Sequence, residues 1–421
     1  LINFFITIIK VIFLLGFLIF IHEGGHFLVA KLCKVKVNEF ALGFGPTIWK
    51  SKKTETKYAL RLIPLGGFVS MEGEEERSDN EGSFSKTSIP KRIAIIVAGG
   101  AVNILFAVII YFGLVLITGN YASQKIELVS EQYNAINSGI VKGDEITKIN
   151  GKKIRNKKDI DEIMSKSQGE EVDVEVKRNN EKINVKVKPT TIPSKDTGIY
   201  LGTQGDELTT KIVSIYPKSP AEEKGIKTND VIKKINGQDV NNDPYKVVEY
   251  ISNTNEENII FTLERKGELI DIEVKPNILY TYILGVQFEK AENNFINNVY
   301  YGFWDTIDFC ASIIDNLKML FSGSVSTQQL IGPIGISGVV ANTKGVSDFI
   351  YILALVSLSL GVTNLLPFPP LDGGKVVIYL IEAIRKKPLP EKVEINIQLL
   401  GFALLIGLTI YVTYNDILRM I

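Results

Sequence analysis

Four apolar runs of near-membrane length restrict what this chain can fold into. They cover about residues 4–30, 93–117, 349–366 and 397–412. Each approaches the roughly 20 apolar residues that a helix needs to cross a hydrocarbon layer about 30 Å thick. The most apolar part of the first run, Val11 to Ile21, follows Lys10 and has the outline of a signal sequence. No small-residue cleavage site comes after it, and it continues into His22-Glu23-Gly24-Gly25-His26, so it reads as a retained transmembrane helix. A fifth stretch, Phe295–Phe321, mixes Phe303, Trp304, Ile307, Phe309 and Ile313 with Asp305, Asp308, Asp315 and Lys318. That spacing predicts an amphipathic helix lying on the membrane or against the bundle.

Four spans put the loops 33–92 and 382–396 on one side. The first carries Lys34, Lys36, Lys50, Lys52, Lys53, Lys57, Arg61, Lys91 and Arg92, and the second Arg385, Lys386, Lys387 and Lys392. Basic loops stay cytoplasmic, so the middle of the chain faces outward; the acids Glu72–Glu76 weigh little in this rule. Lys and Arg total 47 against 47 Asp and Glu, and this zero net charge argues against nucleic acid as a partner. Cys33 and Cys310 are too few and too far apart in sequence for a disulfide framework.

The middle, about 121–289, is charged and contains a repeat. Gly139-Ile140-x-x-x-Asp144-x-Ile146-x-x-Ile149-Asn150-Gly151 returns in register throughout as Gly225-Ile226-x-x-x-Asp230-x-Ile232-x-x-Ile235-Asn236-Gly237. A polar helical stretch follows each copy (158–167, 244–253), then alternating strands at 172–176 with 183–187 and 259–264 with 270–274. Each copy is long enough for a small core. The copies resemble PDZ domains of the kind attached to bacterial membrane and periplasmic proteases.

The chain has only two histidines, and both lie in His22-Glu23-x-x-His26. On a helix, positions i and i+4 share a face, so both imidazoles can point at one ion. Glu23 is offset yet close enough to take a proton from water at that ion. A glutamate and two histidines at the end of an apolar span are costly to bury unpaired, and metal coordination supplies the partner. No histidine remains for a third ligand, which must be a carboxylate or a thiolate. Asp372 is the candidate, in Asn364-Leu365-Leu366-Pro367-Phe368-Pro369-Pro370-Leu371-Asp372-Gly373-Gly374. Prolines break the span there, and irregular backbone at membrane depth needs protein or a cavity to cover it. On these grounds alone, a loop acid just outside the bilayer stays open.

With these two motifs the chain resembles the site-2 protease family of intramembrane zinc metalloproteases, in particular its bacterial members with two PDZ domains. The family's second motif, Asn-x-x-Pro-x-Pro-x-Leu-Asp-Gly, is matched at Asn364, Pro367, Pro369, Leu371, Asp372 and Gly373. The resemblance implies that Asp372 joins His22 and His26 on Zn2+, with Glu23 as general base. It also implies that Asn364, with Pro367 and Pro369, contacts the substrate. One departure is Gly24, where the family commonly has a bulkier residue; two glycines loosen a helix by about 1 kcal/mol each. Phe44-Gly45-Pro46 and Pro64–Val69, flanking strand-like runs at 37–42 and 57–63, match a membrane-associated β-loop beside the active site. A strand edge there could pair with an unwound substrate. Gly99, Gly100 and Asn103 in the second span suit close helix packing, with Asn103 bonding across helices or lining the cavity.

The expected fold is therefore a polytopic α-helical membrane protein with about four transmembrane helices, a membrane-associated β-loop and two α+β PDZ domains. Its expected divisions are a first membrane half (1–120), PDZ-like domains at 121–192 and 193–289, an interfacial helix and linker (290–345) and a second membrane half (346–421). The resemblance implies a bacterial inner-membrane location, with the PDZ pair outside, acting as size filter or reader of substrate tails. Expected substrates are single-span membrane proteins already trimmed by another protease, with anti-sigma factors and remnant signal peptides as the leading classes. The competing expectation is a non-enzymatic scaffold, which would have no need of Glu23.

Overall fold

The computed structural model describes residues 2–51, 55–74, 76, 78–119, 121–204, 207–323 and 330–420. Lys52, Lys53, Glu75 and Asn120 lie outside the described residues. The chain forms two compact units, Leu1–Leu114 with Leu330–Ile421, and Val115–Gln329. In the first unit, helix α1 (Ile2–Leu32) runs unbroken through the His-Glu cluster. Strands β1 (Val37–Lys50) and β2 (Lys57–Met71) follow. β1 is paired along both sides, with Glu39 opposite Lys57 and Ser70, and Leu42 opposite Leu60 and Gly67. β2 therefore folds back along β1, and its end, 67–71, forms an outer edge. Helix α2 (Ile89–Thr118) ends with its last turn in the second unit.

The second unit explains the repeat. Its first copy contains β3 (Ala122–Val129), β4 (Glu145–Ile149), β5 (Lys152–Lys153), α3 (Lys157–Ser167), β6 (Val172–Arg178) and β7 (Glu181–Val187). After β8 (Thr190–Asp196) the second copy runs through β9 (Ile199–Gln204), β10 (Glu207–Ile215), α4 (Pro220–Glu223), β11 (Val231–Ile235), β12 (Gln238–Asp239), α5 (Pro244–Asn253), β13 (Ile259–Arg265) and β14 (Glu268–Val274). β15 (Asn277–Ile283) then returns along β8 as a two-stranded ribbon, and β16 (Val286–Lys290) pairs with β3. The sheet orders are β16-β3-β4-β6-β7 and β14-β13-β11-β10-β9, so β16 fills in the first copy the place that β9 fills in the second. The second copy thus sits between two strands of the first.

The repeated residues do the same work twice. Ile140, Ile146 and Ile149 are buried in one core, and Ile226, Ile232 and Ile235 in the other. Asp144 accepts from the Val141 amide at 3.0 Å and from Arg178; Asp230 accepts from the Lys227 amide at 2.8 Å and from Arg265. Asn150 and Asn236 adopt left-handed φ of 48° and 49°, and their side-chain oxygens accept from the amides of Asp173 and Ile260. Asparagine tolerates that backbone where β-branched residues do not. Helix α6 (Phe295–Phe321) matches the expected amphipathic stretch.

The first unit resumes with α7 (Pro333–Ala341), α8 (Val346–Asn364), α9 (Asp372–Arg385) and α10 (Glu391–Met420). Four helices among the described residues are long and apolar enough to cross a membrane: Phe5–Leu32, Ile89–Thr118, Val346–Asn364 and Glu391–Ile417. The shortest has 19 residues, about 28 Å of helix. Ile9, Phe13, Leu105, Ile109, Leu400 and Ile410 stay exposed on them, as suits helices that face lipid. The loop expected over 382–396 is mostly helix instead. α9 continues to Arg385 because buried Glu382 receives Arg92 of α2 at 3.2 Å and the Leu389 amide at 2.8 Å. Small residues let the helices approach. A Cβ on Gly25 would lie 2.6 Å from the Ala98 carbonyl oxygen, and one on Gly361 would lie 2.7 Å from that of Gly100. Gly24 has no neighbour within 4 Å of its would-be Cβ, so its place in α1 is not set by packing.

Candidate metal centre

α1 carries His22 and His26 one turn apart, with ring centroids at 4.8 Å. The proline-rich turn after α8 brings the chain back so that Asp372 opens α9. The three side chains converge. His22 Nε2 and His26 Nε2 are 3.2 Å apart, and Asp372 Oδ2 stands 3.3 Å from the first and 3.4 Å from the second. These three side chains are the described group with metal-ligand potential.

The triangle fits a zinc ion. Ligand bonds of about 2.0–2.1 Å in a tetrahedron put donor atoms about 3.3–3.4 Å apart. Asp372 Oδ2 is buried and makes no hydrogen bond, which is costly unless a cation faces it. The Ile95 carbonyl can only accept, so the 2.8 Å contact to His26 Nδ1 places the proton there and leaves the Nε2 lone pair free. Gly99 of α2 makes room for the rings: a Cβ there would come within 2.4 Å of His26 Nε2 and 2.8 Å of His22 Cε1.

Glu23 and the three converging side chains line a cavity of about 750 Å³. Its other walls include Phe68–Met71 of β2, Glu74, Lys375, Tyr379 and, from α10, Glu391 and Glu394. The outer edge of β2 therefore runs beside Glu23, and a Cβ on Gly67 would lie 3.5 Å from Glu23 Cγ. Asn364, Pro367 and Pro369 are not among the lining residues. Asn364 is the last residue of α8. Pro369 packs under α10, where a Cβ on Gly401 would meet its carbonyl oxygen at 2.0 Å.

Sequence reading brought together His22, Glu23, His26 and Asp372. It missed Lys375 and Tyr379, which follow Asp372 at i+3 and i+7 on one helix face. That spacing would have found them had a helix been expected at 372. Lys375 reaches Glu74 at 2.9 Å and ties α9 to the segment after β2. Burial pushes the Tyr379 hydroxyl up to about 12, so it stays a protonated donor.

The peptidase family M50 profile matches residues 10–408. A candidate zinc metalloprotease of Helicobacter pylori (strain J99) is 30% identical over 427 residues, covering 98% of this chain and 99% of that one. The regulator of sigma E protease of Haemophilus influenzae is 29% identical over 434 residues and 96% of each chain. The zinc metalloprotease RasP of Shouchella clausii is 28% identical over 441 residues, 98% of this chain and 99% of that one. Among solved structures, the HtrA3 PDZ domain bound to a phage-derived ligand is similar to 22% of this chain over 92% of its own length, with 19% identity and a TM-score of 0.19.

Proposed function

The chain belongs to peptidase family M50, and from that premise we propose that it is a membrane-embedded zinc endopeptidase with His22, His26 and Asp372 as ligands. The observation that carries this reading is the triangle of donor atoms with 3.2–3.4 Å edges, one corner of which is a buried carboxylate oxygen that makes no hydrogen bond. When bound, zinc supplies Lewis acidity that acidifies a water and polarises a carbonyl. Glu23, beside the donor triangle, would serve as the base that takes a proton from the attacking water and returns it to the departing amine. The cavity beside Glu23 is walled by β2 on one side and by α9 on another.

A helical substrate shields its peptide bonds with its own hydrogen bonds. The open edge at 67–71 holds an unwound segment as an added strand and lays its backbone past Glu23. Pro367 and Pro369 shape the turn that delivers Asp372. Substrates in this reading are pre-trimmed single-span membrane proteins, such as anti-sigma factors or remnant signal peptides. The basic loops face the cytoplasm, and the two PDZ-like copies stand outside the bacterial inner membrane, where they screen substrates by size or by tail.

The test is purified Glu23→Gln protein. Zinc content is expected to match wild type while cleavage of a membrane-embedded peptide falls below detection. Full cleavage by this variant would remove Glu23 from the chemistry, whereas a zinc-loaded wild-type protein that cleaves nothing would favour the scaffold reading.

A further inference from the structure

His22 lacks the support that His26 has. A buried zinc-bound imidazole needs an acceptor for its Nδ1–H, and His26 finds one in the Ile95 carbonyl. Among the described residues, the polar side chain in hydrogen-bond range of His22 Nδ1 is Asn103, whose amide nitrogen lies 3.5 Å away. Asn103 is 0% exposed on an apolar helix, and its Oδ1 has no hydrogen-bond partner. As written, a donor faces Nδ1 while a buried acceptor is left unused. A half-turn of the amide about its last side-chain bond exchanges oxygen and nitrogen in nearly the same space and turns the acceptor toward His22.

Its position is over-determined. Gly100 and Gly361 bring α2 and α8 together so closely that a Cβ on either would clash with the other's carbonyl oxygen at 2.9 or 2.7 Å. Buried Ser357 of α8 donates to the Asn103 backbone carbonyl at 2.9 Å. A polar side chain at such depth is costly unless it is paired. Packing alone would be served better by leucine or alanine.

We infer that Asn103 is the positioning residue for His22: its side-chain oxygen accepts the Nδ1 proton and so holds the Nε2 lone pair on the metal. This rests on the ligand assignment proposed above. It adds a side chain from the second span to a centre whose ligands come from α1 and α9, beside the Ile95 carbonyl that the same span already offers His26.

Two readouts test it on the full-length purified protein. The first is zinc affinity by chelator competition for wild type, Asn103→Leu and Asn103→Asp. Loss of an outer acceptor lowers metal affinity about 10- to 100-fold. Asn103→Leu is expected to fall in that range, while Asn103→Asp, which keeps shape and acceptor, stays at wild-type affinity or above. The second uses the fact that the chain has only two histidines. With 15N-histidine in the zinc-loaded protein, Asn103→Asp is expected to move the His22 Nδ1 resonance and leave that of His26 in place. An Asn103→Leu protein that binds zinc like wild type overturns the inference. So does a His22 resonance that ignores Asn103→Asp, or an aspartate variant as weak as the leucine one. A wild-type chain that takes up no zinc sinks the ligand assignment itself, which is a different failure.

Discussion

Substituting alanine for Gly99 separates helix stability from metal binding. A Cβ there would sit 2.4 Å from His26 Nε2, 2.6 Å from His26 Cε1 and 2.8 Å from His22 Cε1. Ordinary contact needs about 3.4 Å or more, so either α2 retreats or the rings move by roughly 1 Å. Metal ligands tolerate about 0.2 Å, so the donor triangle no longer fits zinc. Overpacking costs about 1–3 kcal/mol. Alanine returns about 1 kcal/mol of helix propensity over glycine. The net loss of stability is then about 0–2 kcal/mol, whereas zinc affinity is expected to drop by about 100-fold or more, beyond the usual loss of an outer contact. Elemental analysis of purified protein reads the metal, and thermal unfolding in detergent reads the fold. Gly24→Ala is the control on the same site, with open space at its Cβ. It is expected to keep zinc and gain up to about 1 kcal/mol. A folded Gly99→Ala protein with full zinc occupancy would refute the geometry.

Further outcomes can be stated for other parts of the chain. Asp372→Asn is expected to lower zinc content sharply with His22 and His26 intact; unchanged metal would remove Asp372 from the ligand set. In the first PDZ-like copy, burial raises the Asp144 carboxyl, but the Arg178 guanidinium and the Val141 amide outweigh it and hold it below the usual carboxylate value. A depressed folded-state value gives stability that is present above the ordinary aspartate range, about pH 4, and is lost as pH falls through the folded value. Hydrogen exchange across 122–187 in the intact protein should therefore quicken in acid, and Asp144→Asn should flatten that dependence. Lys375→Met leaves Glu74 without its 2.9 Å partner and is expected to loosen the segment after β2, read as faster proteolysis at 72–79. An unchanged cleavage rate there would show that the ion pair does not hold that segment.

The sequence alone determined the parts whose physics is local or periodic. Membrane-length apolar runs announce their helices because only a helix satisfies its own backbone in lipid. His22 and His26 share a face because helix periodicity requires it. The repeat was legible because Asp144, Asn150 and their counterparts Asp230 and Asn236 each serve a nearby turn. The amphipathic pattern of 295–321 was likewise enough for α6. Tertiary structure decided what depends on chain return. Nothing local says that β16, more than a hundred residues downstream, completes the sheet of the first copy, because an edge strand pairs with whatever edge reaches it. α9 was hidden because its stabilising contacts, Arg92 to Glu382 and Glu74 to Lys375, come from other elements. Of the glycine pair at 24 and 25, only Gly25 meets another helix backbone, and the approach of α2 decides that. Asp372 shows both sides of this division. Its motif made it a candidate, and the chain return that opens α9 sets its Oδ2 within 3.4 Å of both imidazoles, which no local pattern could specify.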